Sequence, residues 1–120
     1  VAPGVAARTG LGRTLLALGD REGAEAAYAG AVRTLPSYGP AALGLAELCW
    51  RDGRQEEALA TLVAFLELDP NHVEGLVRLG TWLYELGRAG QAVRALERAH
   101  RLDPSHERAA EELERLRGDG

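Results

Sequence analysis

The chain contains no methionine and no lysine, a single cysteine, and few aromatic residues, 5% of its 120 positions. With Cys49 alone, no internal disulfide can form, and the redox compartment stays open. No apolar run approaches the roughly 20 residues needed to span a bilayer, and no signal-peptide pattern is present. All 14 basic residues are arginine, which together with abundant Gly and Ala reads as the coding bias of a GC-rich genome and carries no functional meaning. A net charge of −4 gives no general pull towards nucleic acid or anionic lipid. The chain opens Val-Ala-Pro-Gly without Met, as expected of a piece cut from a longer protein. What remains is a chain about one domain long, 46% apolar, with enough material for a core.

An internal repeat organises that material. Pro36, Pro70 and Pro104 are 34 residues apart, and the same interval separates Gly19, Gly53 and Gly87, then Ala24, Ala58 and Ala92, then Leu11, Leu45 and Leu79. Four columns at one period define three tandem repeats, 5–38, 39–72 and 73–106, followed by a tail. Within a repeat the apolar residues recur at helical spacing. Ala42, Leu45, Ala46 and Cys49 share one face, Gly53 breaks the pattern, and Ala58, Leu62 and Phe65 share the face of a second run. Asp69-Pro70 ends that run, because proline disfavours the helical conformation of the residue before it. The fold class is therefore all-α, three helix pairs and one further helix, seven helices in total.

These residues resemble the tetratricopeptide repeat family, whose 34-residue pattern places Trp, Leu-Gly and Tyr in the first helix, then Ala, Phe and a late Pro. The third repeat matches with Leu79-Gly80, Leu83, Ala92, Leu96, Ala99 and Pro104. The first matches with Leu11-Gly12, Leu15, Ala24, Tyr28, Ala31 and Pro36. The second departs most: Ala46 stands for the Gly, Cys49 for the Tyr, and Phe65 where the other repeats have Ala31 and Ala99. Gly12, Ala46 and Gly80, with Ala24, Ala58 and Ala92 opposite, let the two helices of a repeat approach closely. The resemblance implies an α-solenoid, a single domain over 1–120, coiled into a right-handed superhelix whose concave face is lined by the first helices.

The tail at 107–117 reads as a capping helix. Ala109, Leu113 and Leu116 give one apolar stripe, while Glu114 and Arg117 occupy columns held by Gly or Leu in the repeats, so no further repeat can dock there. A Glu111/Arg115 pair at i, i+4 is expected to support it. The start of the chain has no comparable cap.

First-helix residues that do not face their own partner helix form ladders down the stack. One reads Leu16, Trp50, Tyr84; another Thr9, Leu43, Val77; a third Arg13, Glu47, Thr81. With Arg78, these ten residues are the candidate partner-binding groove. Trp50 and Tyr84 are its anchors, since aromatics with a polar tip are enriched at interface hot spots; the competing reading is that Trp50 covers a junction between repeats. Relatives that hold the C-terminal carboxylate of chaperones use Lys, Asn, Asn, Lys and Arg in the groove. The corresponding residues here are Thr9, Arg13, Gly44, Glu74 and Arg78; only Arg78 agrees, and Glu74 would repel a carboxylate.

Chemistry finds no foothold. His72, His100 and His106 lack acidic or thiol partners at ligand spacing, Cys49 lies on a packing stripe, and the three turn glycines are preceded by no strand and followed by no Lys. No cofactor, metal, membrane or nucleic-acid partner is expected. The chain is expected to be a non-catalytic module that binds a peptide segment or protein in its groove. The alternative is a structural or self-associating module using the uncapped N-terminal end. Gly10, Gly30, Gly44 and Gly75, inside helical stretches, are left without a reason.

Overall fold

The computed structural model describes residues 4–119, seven helices with no strand among them. Val1–Pro3, on which the reading as a cut piece rests, and Gly120 lie outside the described residues. The helices group into two compact units, Val1–Leu68 and Asp69–Gly120.

In the first unit, α1 (Val5–Ala17) and α2 (Arg21–Thr34) form one helix hairpin and α3 (Gly39–Arg51) and α4 (Gln55–Leu68) a second. The turn inside each hairpin is set by a glycine with positive φ, Gly19 at 86° and Gly53 at 84°. Both close a Schellman motif: Asp20 N–H donates to Leu15 O and Gly19 N–H to Leu16 O, and Arg54 and Gly53 repeat this on Cys49 and Trp50. α2 stops at Thr34 and α4 at Leu68, each two residues before a proline of the repeat. Ala24, Ala31, Ala46, Ala58 and Leu62 are fully buried between the helices, and α2 also packs on α3.

Close approach is literal at Gly12. A Cβ there would lie 2.8 Å from Cε1 of Tyr28, whose ring is buried between α1 and α2. The same ring explains Gly44 in α3, where a Cβ would also come within 2.8 Å of Cε1. Gly30 is buried, and its carbonyl accepts from Arg8 Nη1 at 3.4 Å and Thr34 Oγ1 at 2.9 Å. Nothing in the structure explains Gly10, which faces open space.

An ion-pair cluster ties the two hairpins of this unit together. Arg54 bonds Glu25 through both nitrogens, at 3.1 and 2.5 Å, and also reaches Glu57 at 2.8 Å and Asp52 at 3.3 Å. Arg21 pairs with Asp52 beside it. The bond to Glu25 is the main cause that raises the Arg54 guanidinium pKa above its ordinary value.

In the second unit, α5 (Val73–Glu85) and α6 (Ala89–Leu102) form a hairpin around Gly87, φ 79°, and α7 (Glu107–Asp119) packs on α6 and α5. Gly80 repeats the constraint of Gly12, since a Cβ there would meet Leu96 Cγ at 2.5 Å. Ala109, Leu113 and Leu116 are buried under α7, whereas Glu114 and Arg117 are exposed, with Arg117 3.0 Å from Glu97. The histidines of the two Asp-Pro phrases cap the helices that follow. Gly75 N–H donates to His72 Nδ1 at 3.0 Å and Ala109 N–H to His106 Nδ1 at 3.2 Å. Tyr38, in the same column of the first repeat, makes no such side-chain bond.

Candidate functional site

The candidate groove residues sit on α1, α3 and α5, the first helices, whose opposite faces are clamped by small residues against their partners. In the first unit, Leu16, Leu43 and Trp50 are half-buried, so each has one side in the packing and one in solvent. Glu47, also half-buried, pairs with Arg51 one turn on at 3.1 Å. Arg13 is exposed on α1, close enough to lower the Tyr28 phenol pKa against the larger effect of burial, which raises it. Thr9 is a correction. Its side chain is 0% exposed and donates to Val5 O at 2.8 Å, because Val5, Thr9 and Gly12 form one buried row of α1.

In the second unit, Arg78, Thr81 and Tyr84 are half-buried. Val77 is the second correction: also 0% exposed, it lies three residues before Gly80 on the row that packs inward, and offers no surface to a partner. Thr81 spends its hydroxyl on Val77 O at 3.0 Å. Arg115 of α7 lies over the Tyr84 ring, 5.0 Å from its centroid, at a distance where a cation is attracted to the ring face. Arg115 pairs with Glu112, three residues away, and not with Glu111 as the i, i+4 spacing suggested. The sequence carried a signal for Arg115, which falls in the column of Arg13, Glu47 and Thr81. Reading α7 only as a cap hid it.

Two of the positions corresponding to a carboxylate-holding groove are closed by packing. Thr9 is buried, and Gly44 lies against Tyr28. A third, Glu74, is 3.5 Å from His106 Nε2.

The reactive groups are placed for stability. Cys49 is buried, its thiol donates to Glu57 Oε2 at 3.5 Å, and burial, helped by the carboxylates of Glu57 and Glu25 against Arg54, pushes its pKa up to about 11. Such a thiol is poorly nucleophilic near neutral pH. Among the described residues no three His, Cys, Asp or Glu side chains gather at a position to hold a metal ion, and no helix is long and apolar enough to cross a membrane. On α1 and α3 of the first unit, and separately on α5 of the second, apolar and aromatic side chains stand beside charged ones.

A family model described as tetratricopeptide repeat matches residues 9–73, and a second of the same description matches residues 74–106. The CTR9 homolog of Arabidopsis thaliana is 35% identical over 99 residues; these cover 81% of this chain and 9% of that much longer protein. The first repeat domain of Spaghetti (RPAP3), solved bound to the HSP90 peptide SRMEEVD, superposes with a TM-score of 0.86 at 17% identity, covering 99% of this chain and 94% of that one. The crystal structure of MamA superposes with a TM-score of 0.83 at 23% identity, over 99% of this chain and 65% of that one. At these identities the structural likenesses establish the fold, an all-α helical-repeat solenoid.

Proposed function

The chain belongs to the tetratricopeptide repeat family, and from that premise we propose that it binds a segment of a partner protein on the exposed faces of its first helices, without catalysis. The observation that carries this reading is the half-buried state of Trp50 and Tyr84. Each ring is held by packing on a helix and still reaches solvent, so a partner gains contact area at little cost in side-chain ordering. Leu16 and Leu43 extend the apolar surface in the first unit, and Arg78 and Thr81 border Tyr84 in the second.

The partner chemistry differs from that of the Spaghetti domain. With Thr9 buried, Gly44 against Tyr28 and Glu74 acidic, Arg78 alone is left of the carboxylate-holding constellation, and a segment with apolar anchors is favoured over an acidic C-terminus. The test is capture of partners by wild type and by Trp50→Ala with Tyr84→Ala, with the peptide SRMEEVD as a competitor. The double variant is expected to lose capture and the competitor to have no effect; equal capture of every partner by both proteins would sink the proposal.

A second reading is favoured by one observation. Leu11 of α1 and Leu18 just after it are 51% and 77% exposed, although Leu45, in the column of Leu11, is half-buried where α2 packs on α3. This open face would suit self-association. Sedimentation distinguishes the readings, since a dimer that survives dilution and is broken by Leu11→Glu supports the second.

A further inference from the structure

The second helices carry a feature that the groove does not use. A cavity of about 260 Å³ opens in the first unit between α2, α3 and α4, lined among others by Val32, Leu45, Thr61, Phe65 and Leu68. Its wall is almost entirely carbon, because the one hydroxyl, on Thr61, donates to Glu57 O at 2.9 Å within its own helix. A void of roughly 150 Å³ is enough to take up a benzene ring. None of the groove residues lines it.

The outer face of α4 continues this apolar surface. Ala60, Val63, Ala64 and Leu68 are all exposed, Val63 at 43% and Leu68 at 57%. In the third repeat the same four columns hold Arg94, Glu97, Arg98 and Leu102. There, Arg98 reaches across to Pro70 O at 3.2 Å and Asn71 Oδ1 at 2.9 Å. The corresponding Ala64 reaches nowhere and leaves the mouth beside Pro36 open. A helix apolar on its outer as well as its inner face is ordinarily covered on both. α4 contains no basic residue; Glu57 in its first turn is engaged by Arg54, while Glu67 stands exposed beside Leu68 at the cavity end of the helix.

We propose that this face of α4, with the adjoining cavity, is a second docking site, and that its occupant is a basic amphipathic helix of a partner protein that inserts one large apolar side chain. The small side chains of Ala60 and Ala64, one turn apart, leave a trough along α4 that a partner helix can follow. Phe65, Leu45 and Val32 receive the inserted side chain, and a basic residue beside it on the partner meets Glu67.

The site is tested with a synthetic helical peptide of about 18 residues carrying Lys on its polar face and a central Phe on the other. Two control peptides replace the Phe by Ala or the Lys residues by Glu. Binding is followed by calorimetry and by the amide resonances of α2 and α4. The Lys peptide is expected to bind, and each control to bind at least about tenfold more weakly. Ala64→Arg, which copies the residue of the third repeat, is expected to weaken binding of the Lys peptide similarly while leaving the circular dichroism spectrum and Trp50-dependent capture unchanged. Trp50→Ala with Tyr84→Ala should leave this peptide's affinity as it was, so failure of the groove and failure of this site are told apart. The proposal is overturned by any of three results: no binding at about 1 mM peptide, equal binding by Ala64→Arg, or self-association of the chain that Ala64→Arg abolishes, which would make a second copy the occupant.

Discussion

Replacing Gly44 by Ala sets two effects of opposite sign against each other. Within a helix, Ala is favoured over Gly by up to about 1 kcal/mol. At Gly44, however, the new Cβ would stand 2.8 Å from Tyr28 Cε1 and 2.9 Å from Cζ, well inside contact distance. The ring cannot simply retreat, because Gly12 on α1 bounds it at the same 2.8 Å and Tyr28 is buried. Overpacking of this kind costs about 1–3 kcal/mol, so Gly44→Ala should be net destabilising by about 1 kcal/mol. Gly10, in the same column of α1, has nothing within 4 Å of the added Cβ. Gly10→Ala should therefore stabilise by up to about 1 kcal/mol. Urea unfolding of the two variants should move the midpoint in opposite directions. Tyr28→Leu, which installs the residue of Leu62 and Leu96, should reverse much of the cost of Gly44→Ala in a double-mutant cycle. Equal stabilisation by both Gly→Ala changes would refute the reasoning.

Alkaline stability should follow Cys49 and Tyr28. Both pKa values are raised in the folded state, mainly by burial, so the native chain keeps protons that the unfolded chain releases. The sign is that stability is intact below pH 9.0 and falls as pH rises from 9.0 towards about 11 for Cys49, with Tyr28 adding its loss above 10.0. Cys49→Ala should flatten the stability profile between pH 9 and 10. Alkylation of native Cys49 at pH 8 should be slower than that of the unfolded chain by about a hundredfold from ionisation alone. Arg54→Met should destabilise at low ionic strength and less at high salt, since its partners are partly exposed; no salt dependence would contradict the ion-pair account. His106→Ala should loosen α7 by about 1 kcal/mol while His106→Asn retains the cap, read out by hydrogen exchange in α7.

The helix count and the turns were legible because they follow from local chemistry repeated at a fixed interval. A glycine that must take positive φ and a proline that stops a helix mark ends wherever they fall. Gly44 was not legible, because its cause is a ring on another helix, in a column that holds a large aromatic only once, as Tyr28 against Leu62 and Leu96. Thr9 and Val77 show the limit of ladders drawn from the period. Their column also contains the half-buried Leu43, so one register position can be inside or outside depending on which neighbour covers it. Arg115 escaped because its role depends on α7 packing beside α5, which carries Tyr84. The apolar lining of the cavity beside α4 includes Ala64 where the third repeat has Arg98, and a pattern of shared columns directs the eye away from such differences.

The most direct test of binding through the first-helix faces is site-specific photo-crosslinking of captured partners. A benzophenone side chain would be placed in turn at Trp50, at Tyr84, and at exposed control positions Glu22 and Arg101 on the second helices. Crosslinks from Trp50 and Tyr84, with none from the controls, are the predicted result; crosslinks confined to the controls would contradict the account.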